Sequence, residues 1–313
     1  LQNAGDAGRR VLADFLFFLA DHIEQAVHGF ADDILVDVQG LRPRKRDVLE
    51  AADQFLILAR GADFVHRAFD DGPKGGGDAV SAARAVLQTG EFDYAWNLQV
   101  EDEVLKRLET GGKGKTTITV GGNIEFIQLN SADPWTEIEG ERAHPKSRHP
   151  ILNDPAVRSA MSMLVDKQSI QNFIYGRTGL ATANFLNNPS RFVSKNMKYD
   201  FNPDKAAATL EAAGWKKGSD GVRIKDGKRL KFVFQTSINA PRQKTQQIIK
   251  QAAQKAGIDL ELKSVAASVF FSSDVANPDT YTKFFCDVQM YTTTMTQPDP
   301  ELFMNQFVST NAS

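Results

Sequence analysis

The apolar positions of this chain change period repeatedly, and each change predicts an element. In residues 199–236, Asn202 stands where it can cap a helix whose first position is Pro203, a place where a missing N–H costs nothing. That helix carries Ala206, Ala207, Ala208 and Leu210 and meets Gly214. A left-handed Gly214 makes Leu210 and Trp215 the touching pair of a Schellman ending. Asp220-Gly221 and Asp226-Gly227 then punctuate a hairpin, and Leu230, Phe232 and Phe234 alternate along its outgoing strand.

The same logic organises the flanks. Asp78 caps a helix over 79–89 that ends at Gly90, and a strand-like FDYAW (92–96) follows. Residues 101–109 form a second helix, and Ile124, Phe126 and the run to Asn130 form a buried strand. Asp154-Pro155 opens a helix with Val157, Met161, Leu164 and Val165 inward. Asn239-Ala240-Pro241 opens another, with Ile248, Ile249, Ala252 and Ala253 inward, stopped at Gly257. Ile258, Leu260 and Leu262 alternate on the next strand, which makes a parallel βαβ crossover. A helix over 269–273 and a strand around Cys286, Val288 and Met290 complete an α/β pattern with mixed sheets.

Composition divides the chain. Of 313 residues, 42% are hydrophobic and 24% charged, ordinary values for a globular protein. The net charge of −2 gives no pull toward nucleic acid or an anionic membrane. Residues 1–73 lack Ser, Thr, Tyr, Trp, Met and Cys, and their 8 basic and 13 acidic residues give −5, while the other 29 and 26 give +3. The seam at DDGPKGGGD marks a different domain or a foreign, mis-framed beginning. Helical spacing recurs before it, at Phe17, Ala20, Ile23, Ala26 and Val27 and again at Val48, Ala51, Ala52, Phe55 and Leu56, so this part is read as helical or disordered. Arg9-Arg10 and the apolar stretch 11–20 imitate a secretory leader, but Asp14 interrupts it and no small-residue cleavage site follows.

Candidate chemistry is sparse. Gly114-Lys115-Thr116 lacks the earlier glycine of a phosphate loop, Glu109 standing in its place, and a turn explains it. The basic run 42–46 is a solvated loop. No metal and no cofactor is expected, because neither His22, His28 and His66 nor the pair His144 and His149 has a further ligand placed by spacing. Cys286 is the sole cysteine, a buried and inert thiol by its apolar surroundings. Asp299 and Glu301 belong to a turn and a helix start. The remaining candidates stand at strand ends, where α/β sheets gather ligands: Trp96, Asn97, Asn130, Tyr291, Thr292, Thr293, Thr294, Thr296 and Gln297.

Three blocks in order then carry a family likeness: NIEFIQLN (123–130) with HPILNDPAVRSAMSMLVDKQSI (149–170), the helix–hairpin stretch 199–236, and YTTTMTQPDPELF (291–303). From about Gly75 to Phe307 the chain resembles the family 5 bacterial extracellular solute-binding proteins, the oligopeptide and dipeptide receptors of ABC importers. The resemblance implies a periplasmic binding protein-like II fold, a two-lobed clamp that performs no reaction. It implies a periplasmic or extracytoplasmic monomer whose partners are a small peptide or peptide-like solute and the permease subunits, with no nucleic acid. Residues 74–120 would be the tail of the first lobe and 121–313 the second lobe, incomplete at its C-terminal end, with 1–73 unassigned. Asn130 and Tyr291–Thr294 would face the cleft, the strand pairing with an extended peptide. The family's W-x-x-D-Y-x-D-P block departs here, with Thr293, Thr296 and Gln297 at its Trp, Asp and Tyr, so the charge that anchors a peptide amine is missing. Two other readings stay open: an enzyme on 74–313 using a pair among Asp133, Glu137, Asp299 and Glu301, and a non-functional gene fragment.

Overall fold

Helices in this chain open on side chains that accept a backbone N–H. In the computed structural model, which describes residues 79–119 and 121–308, Asn202 accepts the Lys205 N–H, Asp154 that of Ala156 and Asn239 that of Arg242. In chain order the elements are α1 (Ala79–Arg84, continued by a wider π turn, Ala85–Thr89) and α2 (Asp102–Glu109). β1 (Asn123–Leu129), α3 (Pro155–Met163), α4 (Lys167–Ile170, continued by a π turn, Gln171–Tyr175) and α5 (Pro203–Ala212) follow. Next come β2 (Lys216–Lys217), β3 (Arg223–Lys225), β4 (Lys228–Arg229), β5 (Lys231–Ser237) and α6 (Ala240–Ala256). β6 (Asp259–Val265), α7 (Ala267–Phe270), β7 (Val288–Thr294) and α8 (Glu301–Met304) close the series. Asp78 and the helices and charge runs foreseen before it lie outside the described residues.

The helix α5 ends as its sequence dictates. Gly214 sits at φ 89°, the Trp215 N–H reaches the Leu210 carbonyl at 2.9 Å and the Gly214 N–H that of Glu211 at 3.1 Å, the bond pair of a Schellman motif. Leu210 and Trp215 are both buried. The region after it differs from a single hairpin. β2, β3 and β4 form a small antiparallel meander of their own, with Asp226 and Gly227 at positive φ in the second turn. The chain then leaves this meander at Leu230 and enters a second sheet as β5.

That sheet has the order β1-β7-β5-β6 and is mixed: β1 is antiparallel to β7, while β7, β5 and β6 are mutually parallel along the row. The crossover from β5 to β6 runs through α6, as the strand–helix–strand pattern requires. Phe232, Phe234, Leu260, Val288 and Met290 meet Val157, Met161, Leu210, Ile249 and Ala253 of α3, α5 and α6 in the main core. A satellite core of Ala83, Leu87, Val100, Leu105 and Leu108 holds α1 and α2 together. β1 is an edge strand and half-buried, where a buried one was expected. FDYAW forms no strand; it is irregular chain, bent at Asp93, with Tyr94 and Trp96 exposed, and no strand pairs with it.

One end of the sheet is closed by buried polar groups. Asp287, just before β7, accepts from His149 Nε2 at 2.9 Å, Trp135 Nε1 at 2.8 Å and the Val233 N–H at 2.6 Å. His149 Nδ1 takes the N–H groups of Ile151 and Leu152, which puts the ring proton on Nε2. Arg223 is buried below the meander, donating to the carbonyls of Ala256 and Trp215 and to Glu211. Its charge sits against the carbonyl that closes α6, where the helix dipole favours a cation.

Candidate functional site

At the opposite end of the sheet, β5, β6 and β7 finish side by side, and β1, running the other way, begins there. Asn123, Ile124 and Glu125 therefore lie across from Thr294, Thr293 and Thr292. Glu125 shares a face with Ile127 and Leu129, the face toward the core, so a carboxylate there needs a partner. Arg242, in the first turn of α6, supplies it. Its Nε donates to Glu125 Oε1 at 2.9 Å and its Nη2 to Oε2 at 3.3 Å. The same Nη2 reaches Thr292 Oγ1 at 3.0 Å, and Nη1 reaches Ser237 Oγ at 2.7 Å. Thr292 in turn donates to Glu125 Oε2 at 2.5 Å.

Arg242 is only 3% exposed and packs its guanidinium 5.9 Å from the Phe271 ring centre. Burial and the nearby Glu125 charge push the Tyr175 phenol far above its ordinary range. The network is closed on itself: both Glu125 oxygens and all three Arg242 nitrogens are engaged. A second tie brings in the chain before α2. Asn239 Nδ2 donates to Gln99 Oε1 at 2.9 Å, and Lys244 pairs with Glu101 at 2.6 Å. Trp96, 67% exposed, and Asn97, exposed and left-handed at φ 56°, precede Gln99 by three and two residues.

The other face of the β1–β7 pair is aromatic. Tyr291 lies opposite Phe126 with ring centres 4.7 Å apart, and Phe126 meets Phe185, which stacks on Phe303. Burial, then the neighbouring Tyr281, pushes the Tyr291 phenol up to about 12. Thr294 Oγ1 donates to Asn123 Oδ1 at 2.7 Å, and Asn187 Nδ2 to the Asn123 carbonyl at 2.6 Å. Thr296 and Gln297 are exposed just past the strand.

Backbone direction matters most here. Asn130 N–H bonds the Asp287 carbonyl and Met295 N–H that of Gly122, so odd-numbered residues of β7 turn their peptide groups toward β1. Even-numbered residues turn theirs toward β5, whose pairing with β7 stops at Thr236 and Met290. Thr292 and Thr294 carry that side beyond the last paired residue.

Asn130 is not brought to this edge. It is buried at the far end of the strand pair, about 17 Å from Thr292 at ~3.4 Å per residue. Its Nδ2 donates to the carbonyls of Phe284 and Cys286, and its Oδ1 accepts the Ala132 N–H. It thereby pins the loop before β7, where Phe284 is held at φ 50°. Asp133, Glu137, Asp299 and Glu301 do not meet in a cleft either. Burial of Asp133 is outweighed by hydrogen bonds from Trp135 and Thr136, which hold its carboxyl below the usual range, while Glu137, Asp299 and Glu301 are exposed. Among the described residues no group of His, Cys, Asp and Glu could hold a metal ion.

Comparison with known proteins decides the lineage. Residues 77–313 match the bacterial extracellular solute-binding proteins, family 5 Middle. The chain belongs to this family. The mixed α/β sheet described above falls within the matched residues. A probable ABC transporter-binding protein of Deinococcus radiodurans is 28% identical over 197 residues, 60% of this chain and 32% of that one. The oligopeptide-binding protein AppA of Bacillus subtilis is 27% identical over 192 residues, 59% of this chain and 32% of that one. The chain thus spans about a third of the length of these curated relatives. AppA solved with a nonapeptide superposes with a TM-score of 0.49 at 20% identity, covering 71% of this chain and 40% of that one. NikA from Brucella suis, solved with Fe(III)-EDTA, gives 0.45 at 21% identity over 61% of this chain and 34% of that one.

Arg242, Glu125 and Ser237 were not foreseen as site residues in this family 5 chain. The signal was present: Glu125 falls on the inward phase of a strand between Ile124 and Phe126, and an inward carboxylate demands a buried cation.

Proposed function

We propose that this chain is the solute-binding part of a peptide-type ABC importer, with residues 121–313 forming most of one lobe and 74–120 the tail of the other. The solute lies along the edge of Thr292–Gln297, with Trp96 and Asn97 at its flank, and Asn130 supports the strand from its far end. The observation that carries this reading is the free side of β7. Thr292 and Thr294 present N–H and C=O groups past the end of β5, the arrangement by which an extended ligand adds itself to a sheet. A second lobe closing over the ligand would then shift the open–closed population toward the state a permease recognises.

One lobe covers only part of a ligand's surface, so this chain alone binds weakly, in the ~millimolar range of affinity. Amide NMR spectra of the chain titrated with uncharged and zwitterionic short peptides and oligosaccharides test the proposal. The Thr292 and Thr294 amides shift most, and Thr294→Pro, which removes one ligand-facing N–H and the side-chain bond to Asn123 but keeps the backbone bonds of the β1 ladder, weakens binding at least ~tenfold. Shifts confined to other surfaces would dispose of it.

A further inference from the structure

The binding edge lacks charge where its solute must touch it. From Tyr291 to Pro298 every side chain is neutral, and so are Asn123, Ile124 and Asn187, which lie against them. The two ionised pairs near the edge, Arg242 with Glu125 and Lys244 with Glu101, are each matched internally, so answering a ligand's ammonium or carboxylate would weaken a pair already made. Further charges stand at the rim. Arg191 donates to the Pro298 carbonyl at 3.2 Å and stacks on Phe192, and Asp299 Oδ1 takes the Glu301 N–H at 2.8 Å.

What the edge does offer is hydroxyl, amide and ring. Thr294, Thr296, Gln297 and Asn97 are exposed and able both to donate and to accept, and Trp96 shows a broad apolar face. Phe271, 44% exposed, adds a second ring beside Arg242. Side chains that both give and take hydrogen bonds, interleaved with flat apolar rings, match a molecule whose ring carries hydroxyls on its rim and C–H groups on its faces. They match poorly a zwitterion, whose amine would be stripped of water with no counter-charge to meet it.

Resting on the receptor reading above, we infer that the solute of this chain is uncharged and hydroxyl-rich, an oligosaccharide of a few residues rather than a free peptide. Thr296 is the residue that sets the preference, because it faces the solute with a hydroxyl where a carboxylate would select an amine.

The test titrates the full chain, observed by amide NMR, with maltotriose, cellotriose, zwitterionic trialanine and its N-acetylated amide. The expected result is that a trisaccharide shifts the Thr292–Gln297 amides and binds at least tenfold tighter than trialanine, and that Thr296→Asp raises trialanine affinity at least tenfold. Trialanine binding as tightly as either sugar at this edge overturns the inference and leaves the receptor reading standing. The same holds if the capped peptide binds and neither sugar does. A folded chain, by its dispersed spectrum, in which none of the four ligands moves these amides overturns both. If Thr296→Asp binds trialanine no better while the sugars still bind at this edge, the role given to Thr296 falls.

Discussion

Replacing Asp287 with Ala should destabilise the described region severely, and the size of the loss follows from the donors it abandons. The carboxylate accepts from Trp135 Nε1, His149 Nε2 and the Val233 N–H. Trp135 is 52% exposed, so water can replace that bond. His149 is 1% exposed and cannot turn to another tautomer, because its Nδ1 already accepts two backbone N–H groups. Val233 N–H points into the sheet. Two stranded donors at roughly 1–3 kcal/mol each give about 2–6 kcal/mol. Removing a buried carboxylate also removes its desolvation cost, which trims the figure to about 2–4 kcal/mol.

Against a typical stability of about 5–15 kcal/mol this is a large share. With a urea slope near 2 kcal/mol per molar, the midpoint should fall by about 1–2 M at unchanged slope, followed by tryptophan fluorescence. Asp287→Asn should cost roughly half as much, since one amide oxygen still accepts while its NH2 opposes a donor. Amide exchange at Val233, Ile151 and Leu152 should accelerate in both variants. A midpoint for Asp287→Ala within about 0.3 M of the parent would refute the argument, because it would mean that the abandoned donors find water without unfolding anything.

Further outcomes follow from single sites. Cys286 should react with a thiol reagent at pH 8 only after denaturation, as burial, and then Asp287, pushes its thiol up to about 12. Its folded value lies above the ordinary 9.0, so the stability it lends is complete below pH 9.0 and drains away between there and about 12; Cys286→Ala should flatten that decline in alkaline urea titrations. Asp102 behaves oppositely: burial is outweighed by the Arg177 N–H and guanidinium and by Lys106, which lower its carboxyl below 3.8. Asp102→Asn should therefore weaken the hold on α2 at pH 7, and the gap to the parent in acid titration should close as pH falls through that lowered value. Gly176→Ala should cost about 2–4 kcal/mol in chemical denaturation, because φ is 50° there and the new Cβ would stand 2.6 Å from that of Asp102. Gly214→Ala, at φ 89° but with nothing nearer than Lys225 Cε at 3.7 Å, should cost only about 1–2 kcal/mol.

What could be read from the sequence was mostly local. Caps at Asn202, Asp154 and Asn239, stops at Gly214 and Gly257, and the inward phases of β5 and β6 all rest on interactions within a few residues or on one repeating period. Errors arose where a distant partner decides. FDYAW alternates like a strand but has no neighbour to pair with, and the foreseen hairpin lost its outgoing strand because β5 pairs with β6 and β7 in the main sheet, leaving β2, β3 and β4 as a meander. At the site, position at a strand end proved an incomplete guide. Asn130 and Thr292 both stand near strand ends of one pair, yet antiparallel β1 sends its last residue to the opposite end of the sheet from the last residues of β7.

That antiparallel edge strand divides the sheet's two ends by task. At the end with Asp287, Asn130, His149 and Arg223, the donors and acceptors are aimed at backbone or at neighbouring side chains of the same fold, and a change there costs folding. At the end with Arg242, Thr292 and Thr294, side chains lock one another while the peptide groups of β7 run on past β5. The buried ion pair at that end is thus best understood as a clamp on the strand's geometry: Arg242 fixes Thr292, Ser237 and Glu125 at once, tying the last residues of β5 and β7 to the first of β1. If so, Arg242→Met should leave a folded chain whose Thr292 and Thr294 amides exchange faster and whose ligand-induced shifts fade together. A solute bound by the Arg242 charge itself would instead lose affinity while those amides stayed protected.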